Sequence, residues 1–97
     1  MRERVIERYL HTEVTRAGGT TRKMRGRKAL PDRLVAWPGR AGCRSRPPLI
    51  HLVELKAPGG KPRADQVREH ERLDALGHHV YVLNTLACVD AYVSKFK

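Results

Sequence analysis

Apolar residues recur along this chain with two different periods, and the changes of period divide it into elements. Over residues 2–17, Val5, Ile6, Tyr9, Leu10, Val14 and Ala17 repeat at helical spacing and Gly18-Gly19 supplies the stop, so this segment is predicted to be a helix. Thr20 to Met24 is a short strand candidate, and Arg25 to Leu30 reads as a mobile basic loop. Arg33-Leu34-Val35-Ala36-Trp37 and the apolar run Leu49-Ile50-His51-Leu52-Val53 leading to Glu54 predict two strands, with Pro38 to Pro48 as the long turn of a hairpin. Ala57-Pro58-Gly59-Gly60-Lys61-Pro62 breaks the second of these strands. Arg63 to Leu76 then predicts a second helix, with Val67, Leu73 and Leu76 inward and Gly77 as its end. His79 to Leu83 reads as a strand, and Leu86 to Phe96 as a closing helix with Val89, Tyr92, Val93 and Phe96 on one side. The order α-β-β-β-α-β-α predicts an α/β fold in which a mixed central sheet is flanked by helices.

Ninety-seven residues allow one small domain with one core and leave no room for a second. A formal net charge of +10 makes a polyanion the expected partner. Arg22, Lys23, Arg25, Arg27 and Lys28 crowd into one short stretch, and together with Arg33 and Lys61 they form a candidate phosphate-binding rim for nucleic acid. Such single-sign crowding is self-repulsive unless an anion lies against it. Cys43 and Cys88 have neither metal-ligand spacing nor a disulfide framework, which favours a reduced, intracellular protein. Adjacent residues on a strand point to opposite faces, so His78 and His79 cannot easily share one ion. No apolar stretch reaches the length of a bilayer span, and the N-terminus lacks the apolar segment of a signal peptide.

The candidate chemistry gathers where two strands end. On the strand after Pro48, Ile50, Leu52, Glu54 and Lys56 project to the same side, so a carboxylate and an ammonium emerge together from the end of an apolar run. A charge in that position must be paired or bound to a metal. Asp32 opens the neighbouring strand, and adjacent strands lie about 5 Å apart, so Asp32 and Glu54 can approach across the ladder and share one hard cation, Mg²⁺ or Mn²⁺. The backbone carbonyl of Leu55 is a plausible further ligand, and Glu7, from the first helix, would complete the set, with Glu3 as the alternative if the wrong turn is chosen. Lys56 could orient an attacking water or stabilise a pentacovalent phosphorane. Gln66, in the first turn of the second helix, can reach the site as a neutral donor from a helix end that favours phosphate.

Pro31-Asp32, Glu54-Leu55-Lys56 and Gln66, preceded by a glutamate-bearing helix, resemble the PD-(D/E)xK nuclease pattern. The resemblance extends to Ile6-Glu7-Arg8-Tyr9-Leu10, Gly18-Gly19, Lys23, Leu30-Pro31-Asp32-Arg33-Leu34 and Val53 to Pro62. Gln66 to Leu73 and Gly77 to Leu83 continue it. In these segments, which cover nearly the whole chain, the sequence is similar to a stand-alone, viral-type VRR-NUC domain. Asp32-Arg33 and Glu54-Leu55-Lys56-Ala57-Pro58-Gly59-Gly60-Lys61 are its most specific parts. The turn from Gly39 to Pro47, with three arginines and paired prolines, departs from the usual pattern and lengthens the hairpin.

The resemblance implies a restriction-endonuclease-like core and a Mg²⁺- or Mn²⁺-dependent endonuclease with Glu7, Asp32, Glu54, Lys56 and Gln66 at its site. It also implies a homodimer similar to archaeal Holliday junction resolvases, acting on four-way DNA junctions inside a phage-infected, prophage-bearing or bacterial cytoplasm. Two other readings stay open. One is a nuclease aimed at flaps, nicks or plain duplex. The other is a basic DNA-binding module without catalysis, which would have no need of two carboxylates beside its basic rim.

Overall fold

A computed structural model of the chain describes residues 2–26, 29–43 and 45–97. Its elements are α1 (Glu3–Arg16), β1 (Thr20–Lys23), β2 (Arg33–Trp37), β3 (Leu49–Leu55), α2 (Ala64–Ala75), β4 (Val80–Leu83) and α3 (Leu86–Ser94), in the expected order. The sheet runs β1-β2-β3-β4, with β1 and β3 antiparallel to β2 and β4 parallel to β3. That mixture follows from the connections: hairpin connections reverse the chain between the first three strands, whereas the crossover through α2 carries β4 back in the direction of β3.

Strand alternation gives the sheet two unlike faces. Val35, Trp37, Val53, Leu55 and Leu83 lie on one, and α1 and α3 close over them with Ile6, Leu10, Val14, Val89, Tyr92 and Val93. The polar ends of the rings in this core are matched to one another. Trp37 Nε1 donates to the Tyr92 hydroxyl at 3.0 Å, and the same oxygen is 2.7 Å from His51 Nδ1. Indole can only donate, so the Tyr92 oxygen accepts from Trp37 and shares its second bond with the His51 ring nitrogen. Burial pushes the His51 pKa down and the Tyr92 pKa up, which keeps both groups neutral.

The lengthened hairpin turn has a structural task. Arg46 donates through Nη1 to the Phe96 carbonyl at 2.7 Å and through Nη2 to the Pro38 carbonyl at 2.8 Å, and Arg40 donates to the Lys97 carbonyl. Two guanidinium groups thus satisfy carbonyls just beyond the end of α3.

On the second face the expectation that Val67, Leu73 and Leu76 point inward is corrected. The buried residue of α2 is Gln66, while Val67 is 39% and Leu76 70% exposed and Leu73 is half-buried. The buried carboxylate of Glu54 lies under α2 and requires hydrogen-bond donors, so the helix turns its polar stripe to the sheet. Ile50, nearer the start of β3, is left 68% exposed.

The junction of α1 and the sheet allows no side chain at residue 19. A Cβ added to Gly19 would stand 2.8 Å from the Ala36 carbonyl oxygen, 2.9 Å from Val14 Cγ1 and 3.0 Å from Trp37 Cε3. Gly19→Ala is therefore expected to destabilise the fold by about 1–3 kcal/mol, read as a lower midpoint in urea or thermal unfolding. An unchanged midpoint would show that α1 can move off β2 without loss.

Candidate active site

The register explains why the two acidic residues meet. Arg33 pairs with Val53, so one step outward Asp32 falls opposite Glu54 and Pro31 opposite Leu55. The regular strand pairing has ended there, and the Asp32 side chain takes its place by accepting the Leu55 N–H through Oδ2 at 2.9 Å. On its other side the Asp32 carbonyl accepts the Met24 N–H at 2.8 Å. Asp32 is thereby fixed at the mouth of β2, and the Leu55 carbonyl leaves the strand on the edge facing it.

Glu54 is 1% exposed. Gln66 Nε2 donates to its Oε2 at 3.2 Å, and Lys56 Nζ lies 3.7 Å from the same oxygen. The orientation of the Gln66 amide is decided by the start of α2, where Gln66 Oε1 accepts the Arg63 backbone N–H at 2.9 Å as half of a capping box. With its oxygen held by the cap, the amide can offer Glu54 only its nitrogen. Ala57 to Gly60 then turns the chain sharply away, with the Gly60 N–H donating to the Ala57 carbonyl at 2.8 Å and Gly59 at φ +79° in a type II position.

Electrostatics mark the pair as strained without a counter-ion. Desolvation and the adjacent Asp32 carboxyl push the Glu54 pKa up to about 8. A buried carboxyl whose ionisation is hindered in this way, beside a second carboxylate, makes a place where a divalent cation would be favoured. The donor set is one of hard oxygens, which suits Mg²⁺ or Mn²⁺. Among the described residues no three His, Cys, Asp or Glu side chains converge as a ready-made centre, so Asp32 and Glu54 would supply the acidic part and carbonyl, water and phosphate oxygens the rest.

The first helix behaves differently from expectation. Glu7 Oε1 receives a 2.6 Å bond from Arg33 Nη2. That pairing also turns Arg33, whose side chain is 13% exposed, away from the basic rim to which it was assigned. Glu3, one turn earlier, is the α1 carboxylate tied electrostatically to the pair: burial first and then Asp32 push its pKa up, and it in turn raises that of Glu54. Arg22, Lys23, Arg25 and Lys61 are exposed, and Lys23 acts on Glu3. Arg27 and Lys28 lie outside the described residues. Sequence reasoning missed His70, whose Nε2 is 3.6 Å from Glu54 Oε1; the available signal was its position four residues after Gln66, one turn along the same helix face.

A group whose folded pKa is raised stabilises the fold below its unfolded value and loses that contribution as pH rises through the folded one. In EDTA, stability should therefore fall between about pH 4.5 and pH 8 on account of Glu54, with Glu3 acting in the same sense. The lowered pKa values of His51 and His70 act oppositely. Denaturation midpoints of wild type minus Glu54→Gln isolate the first contribution, and a difference that stays flat across this range would remove the strain attributed to Glu54.

No family model matches the chain. It is 47% identical over 87 residues to "Putative nuclease p44" of Acyrthosiphon pisum secondary endosymbiont phage 1, an alignment covering 88% of this chain and 85% of that protein. A solved structure described as a VRR_NUC domain superposes with a TM-score of 0.79 at 32% identity, covering 98% of this chain and 97% of the other. With the mixed sheet, the Asp32-Glu54-Lys56 ends and the capping Gln66 in place, the chain belongs to the VRR-NUC nuclease family and has its PD-(D/E)xK-like fold.

Proposed function

We propose that this protein is a Mg²⁺- or Mn²⁺-dependent DNA endonuclease that acts as a homodimer on branched DNA, with four-way junctions as its substrate class. The observation that carries the reading is the buried Glu54 carboxylate facing Asp32 across the strand ends, with its pKa pushed up to about 8 beside the Lys56 ammonium.

Asp32 and Glu54 would hold the cation, with the Leu55 carbonyl beside them. The bound cation supplies Lewis-acid activation of water and neutralisation of the phosphorane. Asp32 is kept in place by the Leu55 N–H, and Gln66 keeps the Glu54 carboxylate from turning. Lys56, 16% exposed at its side chain and 3.7 Å from Glu54, would orient the attacking water or neutralise a phosphate oxygen. Glu3 and Glu7 are the two α1 candidates for completing the acidic set, and the Arg33 pairing of Glu7 favours Glu3.

The dimer reading draws support from exposed apolar side chains, Ile50 and Val82 on the second face of the sheet and Val67 and Leu76 on and just after α2. Two copies related by a two-fold axis would present two sites at a fixed angle, which is what symmetric nicking of a branch requires. No described helix is long and apolar enough to cross a membrane.

Purified protein is to be incubated with labelled four-way junction, flap and duplex of one sequence, in Mg²⁺ and in EDTA, with sedimentation run in parallel. Expected are cleavage in Mg²⁺ alone, preference for the junction, and about twice the 11.0 kDa chain mass. Asp32→Ala, Glu54→Ala and Lys56→Ala should each lose cleavage by about 10²-fold or more and keep junction binding in EDTA. Wild-type turnover in any of the three would refute the site, and a monomer that cuts linear duplex as fast as a junction would refute the branched-substrate reading.

The rim has its own test. Arg22→Ala, Arg25→Ala and Lys61→Ala should weaken DNA binding and flatten its salt dependence by roughly 0.9 in log-log slope for each phosphate left unneutralised. Unaltered slopes would leave these residues as solvated surface.

A further inference from the structure

Helix α2 addresses both oxygens of one buried carboxylate. Gln66 and His70 are four residues apart and share the helix face turned to β3. Gln66 Nε2 donates to Glu54 Oε2 at 3.2 Å, while His70 Nε2 lies 3.6 Å from Glu54 Oε1. The two oxygens are unequally served. Oε2 also has Lys56 Nζ at 3.7 Å, whereas Oε1 and His70 Nε2 are both buried and neither has a hydrogen-bond partner among the described residues. A buried acceptor without a donor, facing a buried ring nitrogen without an acceptor, is a costly arrangement that a small movement would relieve.

We propose that His70 is a positioning residue for the cation ligand Glu54: its Nε2–H closes on Oε1 and, with Gln66 on Oε2, fixes the carboxylate plane so that its free lone pairs face Asp32. The inference rests on the cation-dependent reading above. A normal bond is about 2.9 Å long, so the required approach is below an ångström, within the reach of side-chain rotation. Either the neutral Nε2–H tautomer or the imidazolium can make it. Direct ligation by the imidazole is the less fitting role, because Mg²⁺ prefers oxygen and the nitrogen is directed at a carboxylate oxygen already.

The test reads cation binding itself. Mn²⁺ uptake by wild type, His70→Ala, His70→Gln and Glu54→Ala is followed by electron paramagnetic resonance, with junction binding in EDTA as the check on folding. Expected are uptake by wild type, loss in Glu54→Ala, an affinity about 10–100-fold lower in His70→Ala, and recovery of most of that loss in His70→Gln, whose amide keeps a donor. Junction affinity in EDTA should be the same in all four. Wild-type Mn²⁺ affinity in His70→Ala would overturn the inference, as would a directly bound imidazole ¹⁴N coupling in the wild-type spectrum. Should His70→Ala fail the folding check, His70→Gln decides: near-wild-type affinity upholds the role and a loss of 10-fold or more overturns it. No Mn²⁺ uptake by wild type would refute the cation-dependent reading and the His70 role with it, a result distinct from equal uptake by wild type and variant.

Discussion

Two carboxylates brought together across the ends of β2 and β3 set the terms for everything around them. Ionising both at once would set two like charges side by side in a place partly withdrawn from water, a cost that the surrounding groups must offset. The fold answers with neutral donors and one ammonium. Asp32 rests on the Leu55 N–H, Glu54 on Gln66, and Lys56 stands beside Glu54 on the same face of the strand. What is left of the conflict is expressed as the raised Glu54 pKa. A site that holds Glu54 apart from bulk water beside a second carboxylate is the kind of place that the proposed divalent cation would suit.

The dry face of the sheet makes this tension tolerable. Core packing between α1, α3 and the inner residues of β2, β3 and β4 involves none of the site carboxylates. The arginines of the long hairpin turn anchor the end of α3 to the same body. Stability and chemistry are thus divided between the two faces. The cost falls on α2, which lies over a polar patch and leaves Val67 and Leu76 in solvent.

This division also explains what could be read in the sequence. Strand alternation put Glu54 and Lys56 on one side, and the proximity of Asp32 to the strand end put it opposite, because both depend on a period of two that the chain states openly. Helical spacing was less decisive. It identified α1 and α3, whose apolar stripes meet the core, but misplaced α2, because spacing names a stripe without naming what lies beneath it. The choice between Glu3 and Glu7 was equally hidden. It turns on which way α1 rolls against the sheet, and Arg33, from another element, takes Glu7 at 2.6 Å. His70 was invisible for a related reason: a lone histidine on a polar helix has no meaning until the carboxylate facing it is known.

The identity of residue 66 carries the last step. A cation at this place, such as lysine, would pair with Glu54 and lower its pKa, and by doing so would compete with the proposed divalent cation for the same negative charge. A carboxylate there would add a third repulsion. An amide does neither, and because the N-cap of α2 occupies its oxygen, it presents a donor without any search among orientations. The same capping hydrogen bond that starts the helix therefore also sets the geometry of the carboxylate, so the strength of the start of α2 and the order of the site are linked through one side chain.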